Sequence, residues 1–465
     1  MKKILIITAL ILGCLVPLLA RTKEFYYILA LLISAFIFLG FKRNNFSVVD
    51  LLIIFIITIP MHTFRFGSEN AFIRLSEIAF IPLFIYWILT LFLRKETNLT
   101  IRKEFILLFI FLIINIISTQ NSMYPAISWQ KIFILAYLFI FSYIVTNILD
   151  TSKRVETVIK AMVLISSIAS IIAALQSIIP QLLVFERVPI GKVFGITFYR
   201  AGVGWHDPNY FALFAGMNAA LTFACIFSFQ NNKLYKICFP LQLLGVIATF
   251  SRTVSGSLLL TCIYLLIHFR KSKLLFVVFT ASAIMIAIVT TSMLTIYKNE
   301  PFLAALFYRV PERRILEDPT SIMGHRAAAF IANWKMFIDH PVIGVGPFMA
   351  IYKFAQYRPS NYESPPRSWL ASHNAYLQLL AEKGIFGFLT FMIFILLILK
   401  KIRLALKKAP DNSPNKNYLL GLKSSIFVLL IASLTLETLY ELQFWLTIGL
   451  ILAILNLINK DSYAQ

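Results

Sequence analysis

Long apolar runs recur along the whole chain, and they constrain its fold more than any other feature. Of the 465 residues 59% are hydrophobic and only 14% are charged, and the mean hydropathy is +0.81. A transmembrane helix needs about 17 to 25 mostly apolar residues, and a water-soluble domain cannot bury this much apolar surface. The composition therefore predicts an all-α, polytopic transmembrane helical bundle of about 12 to 14 spans.

The apolar runs divide the chain into candidate helices joined mostly by short loops. We place these helices at residues 4–20, 25–41, 47–63, 77–93, 105–119, 130–149, 157–178, 208–229, 237–250, 253–269, 274–296, 385–399, 418–435 and 442–458. The start, MKKILIITALILGC, has the shape of a signal peptide, and we interpret it as an uncleaved first helix. Two connections are long, 180–207 and 297–372.

Three regions follow from this division. Residues 1–296 hold transmembrane helices 1–11, residues 297–372 form a large, partly helical loop, and residues 373–465 hold the last three spans. The four cysteines lie inside apolar runs, which is typical of small buried hydrophobes rather than of disulfides.

The positions of lysine and arginine predict the orientation of the chain. With the N-terminus inside, the inner loops and chain ends hold 23 Lys+Arg, whereas the outer side holds 18, nine of them in 297–372. Long loops cross the membrane regardless of their charge, so both termini are predicted to be cytoplasmic and both long loops to lie outside. The net charge of +22 is placed beside membrane spans, which argues against nucleic acid as a partner and for membrane lipids.

The two sides also differ in the kind of cation. The inner side has 17 Lys and six Arg, and the outer side six Lys and 12 Arg. Because a guanidinium binds phosphate or carboxylate through two parallel hydrogen bonds, an arginine-rich outer face indicates a polyanionic ligand. The alternative is that these arginines pair with acidic residues of the long loop.

Three outer arginines are the main candidates for binding that ligand. Arg200 lies in FYRAGVGWHDPNYFALF, where Asp207 can cap the helix that follows. Arg252 lies in TFSRTVSGS, a hairpin at the membrane boundary, where an ionisable residue is expensive; snorkelling to the headgroups is the alternative. Arg326 precedes an amphipathic stretch that carries Phe330, Trp334 and Phe337 on one side.

The segment HNAYLQLLAEKGIFG, 373–387, opens the helix that follows the long loop. Asn374 is placed to cap this helix or to orient the neighbouring ring. Glu382 and Lys383 are interpreted as the end of an interfacial segment, and Gly384 and Gly387 as a kink into the span beyond.

His373 is the main candidate for proton transfer. The predicted topology places it outside the cytoplasm, at the mouth of a helix, and its ordinary pKa of about 6.5 suits a general base. The alternatives are a helix cap without chemistry, or a role for His325 or His340 in the same loop.

These segments together resemble the bacterial O-antigen ligase and polymerase superfamily. The resemblance is carried by GWHDPNYFA, by the SR pair between two helices, by DHPVIGVGPF after an arginine and an aromatic helix, and by HNAYLQLLAEKGIFG. It runs from about Arg200 to Phe391, whereas the first 180 residues contribute only hydrophobicity.

The resemblance implies a glycosyltransferase at the periplasmic face of the bacterial inner membrane. A glycan on an undecaprenyl-diphosphate carrier passes to an acceptor hydroxyl, with no cofactor and no metal. His373 is implied as the catalytic base, and Arg200, Arg252 and Arg326 as ligands of the diphosphate. Direct attack at the anomeric carbon inverts its configuration, whereas a covalent intermediate would need a carboxylate, for which Asp207 and Glu382 are the candidates. The supporting residues of the predicted site are Asp207, Glu382 and Asn374.

Several functions stay open within this resemblance. A ligase transfers the glycan to lipid A-core, a polymerase transfers it to another carrier-linked unit, and a third relative transfers it to a protein; the order of Arg, loop and His favours the ligase. A lipid-linked sugar transporter or flippase is a further alternative, but such proteins are usually built from two similar halves, and we find no internal repeat.

Overall fold

The structure, a computed structural model, describes residues 47–61, 65–68, 71–93, 102–185, 189–193, 196–229, 232–271, 273–274, 324–359, 369–411 and 413–463. The predicted helices 4–20 and 25–41, and nearly all of 274–296, lie outside the described residues. Within this part of the chain the elements in chain order are α1 (Val48–Thr58), β1 (Arg65–Ser68), β2 (Ala71–Arg74), α2 (Leu75–Leu93), α3 (Lys103–Ser118), α4 (Pro125–Ile148), α5 (Ser152–Ile178), β3 (Pro189–Val193), β4 (Ile196–Tyr199), α6 (Pro208–Ser228), α7 (Lys233–Ala248), α8 (Arg252–His268), α9 (Gly324–Asp339), α10 (Ala350–Tyr357), α11 (Ala375–Lys408), α12 (Pro414–Ala432) and α13 (Leu442–Tyr463).

The helical elements confirm the predicted fold class, an all-α polytopic membrane protein. Six described helices are long and apolar enough to cross a membrane, and three shorter apolar helices accompany them. The part of the loop 297–372 that is described contains α9 and α10, so it is partly helical as predicted.

Local signals fix where several of these helices begin. The Thr151 side chain accepts a hydrogen bond from the backbone N–H of Arg154 and so caps α5. Asp207 caps α6 in the same way, with Pro208 in the first turn, where a missing N–H is not needed. The start of α6 was therefore predictable from the sequence, whereas α5, predicted at 157–178, begins at Ser152.

Two elements differ from the sequence prediction. Short antiparallel hairpins, β1–β2 and β3–β4, were not predicted, because each strand has only four or five residues. The predicted span 385–399 is also too short, since α11 runs from Ala375 to Lys408. The loop assigned to 400–417 is rich in lysine, which has high helix propensity and is favoured near a helix C-terminus, so the helix continues through it.

The chain forms two compact units. Unit 1 comprises Met1–Asn98, Ile144–Cys262 and Leu420–Ser425, and unit 2 comprises Leu99–Tyr143, Ile263–Leu419 and Ile426–Gln465. In unit 1, α5, α6 and α7 pack on one another, and α1 packs on α2 and α5. Most of α6 is buried, so this helix lies at the centre of unit 1.

Unit 2 is built around α11. Helices α3, α9 and α13 all pack on it, and α10 packs on α9. The fully buried Trp445 of α13 contacts Phe139 of α4 and Phe394 of α11, with ring centroids 4.7 and 6.1 Å apart. Its indole N–H donates to the Leu439 carbonyl at 2.7 Å, so the polar atom of this aromatic core residue is satisfied.

A buried carboxylate joins three helices of unit 2 away from this aromatic core. Glu104 at the start of α3 is fully buried and forms ion pairs with Arg102 and with Lys401 of α11. Arg102 also donates to Asn456 of α13. Removing one partner of a buried ion pair leaves a charge uncompensated, so this cluster stabilises the contact between the three helices.

Close packing of α5 on α7 gives a test of the unit 1 core. A Cβ on Gly245 would lie 2.3 Å from Ser170 Oγ and 2.8 Å from its Cα, whereas a Cβ on Gly256 of α8 would meet nothing within 4 Å. We expect Gly245→Ala to destabilise the protein by about 1 to 3 kcal/mol, because the two helices must separate. Gly256→Ala, the matched control, is expected to leave the melting temperature in detergent unchanged or slightly raised. Equal melting temperatures for the two variants would contradict this packing.

Candidate functional site

Helix α11 is broken near its start, and the break organises the surrounding part of unit 2. Gly384 has φ 62° and ψ −168°, which is outside the helical region, and a Cβ there would lie 2.3 Å from the Val342 carbonyl oxygen. The N–H of Ile385, which a regular helix would direct to Ala381, instead donates to the Pro341 carbonyl at 2.8 Å. The predicted kink at Gly384 is therefore confirmed.

The segment HPVIGVGPF satisfies the backbone groups that this break releases. The N–H groups of Val345 and Gly346 donate to the carbonyls of Ala381 and Glu382, at 2.9 and 3.1 Å. Gly344 has φ 71°, and a Cβ on it would lie 2.2 Å from the Glu382 carbonyl carbon, so only glycine permits this approach. The two segments that carried the resemblance thus form a single junction.

Residues at and around the connection between α3 and α4 also form hydrogen bonds to this junction. Three polar side chains there donate to backbone carbonyls, at 2.7 to 2.8 Å, as follows: Ser118 to Glu382, Asn121 to Gly344, and Ser128 to Pro347. The sequence analysis missed these residues, because hydroxyl and amide side chains between two apolar helices give no signal of their distant partners.

Two oppositely charged side chains are buried at the break. Glu382 is 1% exposed and Lys383 is fully buried, and their side chains form an ion pair at 2.5 Å. Gln378 Nε2 donates to Glu382 Oε1 at 3.1 Å. The burial of both side chains was not predicted, whereas the break directly after them agrees with a segment that ends at Glu382 and Lys383.

Glu437, in the connection between α12 and α13, is a half-buried acidic residue of this region. It accepts a hydrogen bond from the Ser372 N–H, and Gln378 Nε2 lies 3.5 Å from its Oε2. Burial, and then the charge of Glu382, raise the pKa of the Glu437 carboxyl from 4.5 to about 7, although N–H donors and Lys131 oppose the shift. The sequence analysis missed Glu437; the only available signal was an acid in the short predicted outer loop between the last two spans.

His373 lies where these elements meet, immediately before α11. It is half-buried, and its φ of 49° places it in the left-handed region that non-glycine residues rarely adopt. Asn374 accepts hydrogen bonds from the N–H groups of Tyr376 and Leu377, both at 3.0 Å, so it caps the helix as predicted. On the other side of His373, the Ser372 Oγ donates a hydrogen bond to Asn333 Oδ1 at 2.9 Å.

Arg326 belongs to the same unit, in the first turn of α9. It is half-buried and stands seven residues before Asn333, which places the two on one helix face about 10 Å apart. The buried face of α9 is formed by Ala328, Ala332 and Met336, whereas Trp334 is 48% exposed. The predicted aromatic side of this helix therefore faces outward.

Arg200 and the turn before Arg252 meet within unit 1. Arg200 Nε donates to the Thr249 carbonyl at 2.8 Å, and its Nη2 donates to Asn209 Oδ1 at 3.1 Å. Arg252 is the exposed first residue of α8. Asp207 contacts the Asn209 N–H as the cap of α6, so the polar partner of Arg200 from the segment HDPN is Asn209. Two predicted ligands of the diphosphate thus come from one surface region of unit 1.

His340, the alternative candidate for proton transfer, directly follows α9 and lies near the charged side chains of Asp339 and Lys353. Desolvation, and then the charge of Lys353, lower the pKa of the His340 imidazole, and Asp339 opposes them. Its carbonyl accepts from the Gly344 N–H at 3.0 Å, so its backbone belongs to the turn that reaches the α11 break. Among the residues that the structure describes, no three His, Cys, Asp or Glu side chains are placed to hold a metal ion.

The raised pKa of Glu437 predicts a pH-dependent stability. The folded protein retains a proton that the unfolded chain releases between pH 4.5 and about 7, so raising the pH through this window destabilises the fold. We expect the melting temperature of the wild type in detergent to fall across this window, relative to that of Glu437→Gln, and to change no further above it. The difference between the two melting curves measures this effect, and a difference independent of pH would contradict it.

Comparison with known proteins bears on the same segments. The family described as O-antigen ligase matches residues 237–392, a range that includes Arg252, Arg326, His373 and Glu382. Arg200 and Asp207 precede this range, and Glu437 follows it. A family of unknown function (DUF5935) matches residues 25–180. No curated protein matches the chain. The match over residues 237–392, about a third of the chain, supports the resemblance to the O-antigen ligase/polymerase superfamily.

Proposed function

We propose that this protein is a membrane glycosyltransferase that moves a glycan from an undecaprenyl-diphosphate carrier to an acceptor hydroxyl, with lipid A-core as the acceptor. The observation that carries the proposal is the junction in unit 2. The O-antigen ligase region contains HPVIGVGPF and HNAYLQLLAEKGIFG, whose backbones hydrogen-bond to each other and lead directly to His373. In the proposed topology the termini are cytoplasmic and His373 faces the periplasm.

The proposed chemistry is a single displacement with His373 as the general base. The acceptor oxygen attacks the anomeric carbon while the imidazole takes the hydroxyl proton. The bond from this carbon to the diphosphate oxygen breaks, and the carrier diphosphate leaves with the electron pair. The configuration at the anomeric carbon is inverted, and the imidazolium later releases its proton to water.

The leaving diphosphate gains negative charge during this step, and arginines are suited to stabilise it without a metal ion. A guanidinium offers five N–H donors in a planar fork that matches phosphate oxygens. Arg252 and Arg326 lie in the O-antigen ligase region, and Arg200 is hydrogen-bonded to the turn that precedes Arg252. We propose all three as ligands of the carrier diphosphate.

Glu382 is a poor candidate for the nucleophile of a covalent, retaining mechanism. Its carboxylate is buried and engaged by Lys383 and Gln378. The Asp207 side chain caps α6. These contacts are consistent with a supporting role for both carboxylates and favour the inverting displacement.

A transfer assay with purified protein tests this proposal. We expect His373→Ala and Arg252→Ala each to lower the transfer rate by about 100-fold or more, because general-base and electrostatic stabilisation are typically of that size. His268→Ala and Arg403→Ala, which change exposed residues at the predicted cytoplasmic side, are the matched controls and should transfer like the wild type.

The donor is the carrier-linked glycan, and the products are separated by gel with and without lipid A-core. Glycan attached to lipid A-core supports ligation, whereas chains that lengthen on the carrier without lipid A-core show a polymerase. Movement of the carrier-linked glycan across vesicles by both alanine variants, with no transfer by the wild type, would show a transporter instead. Equal rates for His373→Ala and the wild type would refute the assigned base.

A further inference from the structure

We propose that Glu437 is a positioning residue for His373, holding the backbone on which the imidazole is mounted. This inference rests on the proposed function, because it assigns Glu437 to the same reaction. Glu437 lies in the connection between α12 and α13, outside the region that matches the O-antigen ligase family.

The first observation is a strained backbone held on both sides. A left-handed φ in a non-glycine residue costs free energy and persists only where surrounding contacts fix it. At His373, Glu437 accepts from the N–H groups of Ser372 and of His373 itself. The Ala375 N–H donates to the Ser433 carbonyl at 2.9 Å, so the connection 433–441 holds the start of α11 at two points.

The second observation is that Glu437 is surrounded by donors. The N–H groups of Ser372 and His373 reach the carboxylate, and Gln378 Nε2 lies 3.5 Å from its other oxygen. A glutamine in this place would turn its NH₂ group towards one of these donors in either orientation. Glu437→Gln therefore replaces one of two acceptor oxygens by a donor, whereas Glu437→Asp retains both.

The third observation is the charge that surrounds this carboxylate. On α11, Glu382 forms an ion pair with Lys383, and its charge raises the pKa of Glu437. On α4, the Lys131 ammonium lies 3.7 Å from the centre of the Phe348 ring and 5.7 Å from that of Tyr440, and its charge favours the ionised form of Glu437. The Tyr440 hydroxyl, on the same connection, is buried and has no hydrogen-bond partner in the described part of the chain.

Together these contacts indicate that Glu437 does more than stabilise the fold, because they fix the backbone that carries His373. Glu382 has a cation and an amide as partners. Glu437, by contrast, accepts hydrogen bonds from two consecutive backbone N–H groups, and one of these belongs to the proposed base. Because a general base must stand within hydrogen-bond distance of the proton it takes, a small rotation of this backbone removes the imidazole from reach.

The test is a double-mutant cycle of Glu437→Gln with His373→Ala, measured as transfer per folded molecule. We expect Glu437→Gln alone to lower kcat about 10- to 100-fold and to leave KM for the carrier-linked donor within about twofold. In the His373→Ala background the same change should lower kcat by less than about twofold, since a residue that acts through His373 has nothing left to position.

Glu104→Gln is the matched control, because Glu104 is a fully buried carboxylate of unit 2 that lies apart from the junction. It should lower the melting temperature without changing kcat per folded molecule. If Glu437→Gln does not accumulate, the same cycle with Glu437→Asp, which retains two acceptor oxygens, decides the question and should give a smaller loss of kcat.

Three results would overturn the inference. They are a kcat for Glu437→Gln equal to that of the wild type, an equal loss in the presence and absence of His373, or a rise in KM with no change in kcat. In each of these the wild type still transfers glycan and His373→Ala still fails, so the proposed function stands. An inactive wild type, by contrast, refutes the proposed function and this inference with it.

Discussion

The break in α11 at Gly384 is the constraint on which the rest of unit 2 depends. Backbone groups released inside a membrane protein must find partners within the protein, because hydrocarbon offers none. Here the partners are the carbonyl of Pro341 and the N–H groups of Val345 and Gly346. The turn between α9 and α10 is thereby fixed against α11, and α9 in turn contacts Ser372 through Asn333.

The same break explains why charged groups can be buried at this place. Lys383 is fully buried next to Glu382, and a single charge of either kind would be costly there without its neighbour. The carboxylate of Glu437 is added to this pair, and the result is a polar interior between the start of α11 and the connection 433–441. His373 lies at the edge of this interior, immediately before α11.

Local features of the site were predictable from the sequence, and long-range ones were not. Asp207 with Pro208, and Asn374 before an apolar helix, are signals whose physical cause lies within three residues, and both caps are present. The role of Glu437 depends on contacts with Ser372 and Gln378, which are far away in sequence, so no local pattern reveals it. The burial of Lys383 was not predicted for the same reason, since it depends on contacts that are distant in sequence.

The contacts of Arg200 show how one of the predicted arginines is held in unit 1. Arg200 donates to a carbonyl and an amide oxygen, so it joins the start of α6 to the turn after α7 through neutral acceptors. These two contacts are made to neutral oxygens, so neither of them places a negative charge beside the guanidinium.

The way α11 is completed has a consequence for how the chain matures in the membrane. The apolar stretch beyond Gly384 partitions into lipid by its hydropathy alone, as any spanning segment does. The turn before Gly384 is different, because its Ala381 and Glu382 carbonyls accept hydrogen bonds from Val345, Gly346 and Ser118. Hydropathy alone therefore does not complete the start of α11, which also needs contacts with segments that precede it in the chain.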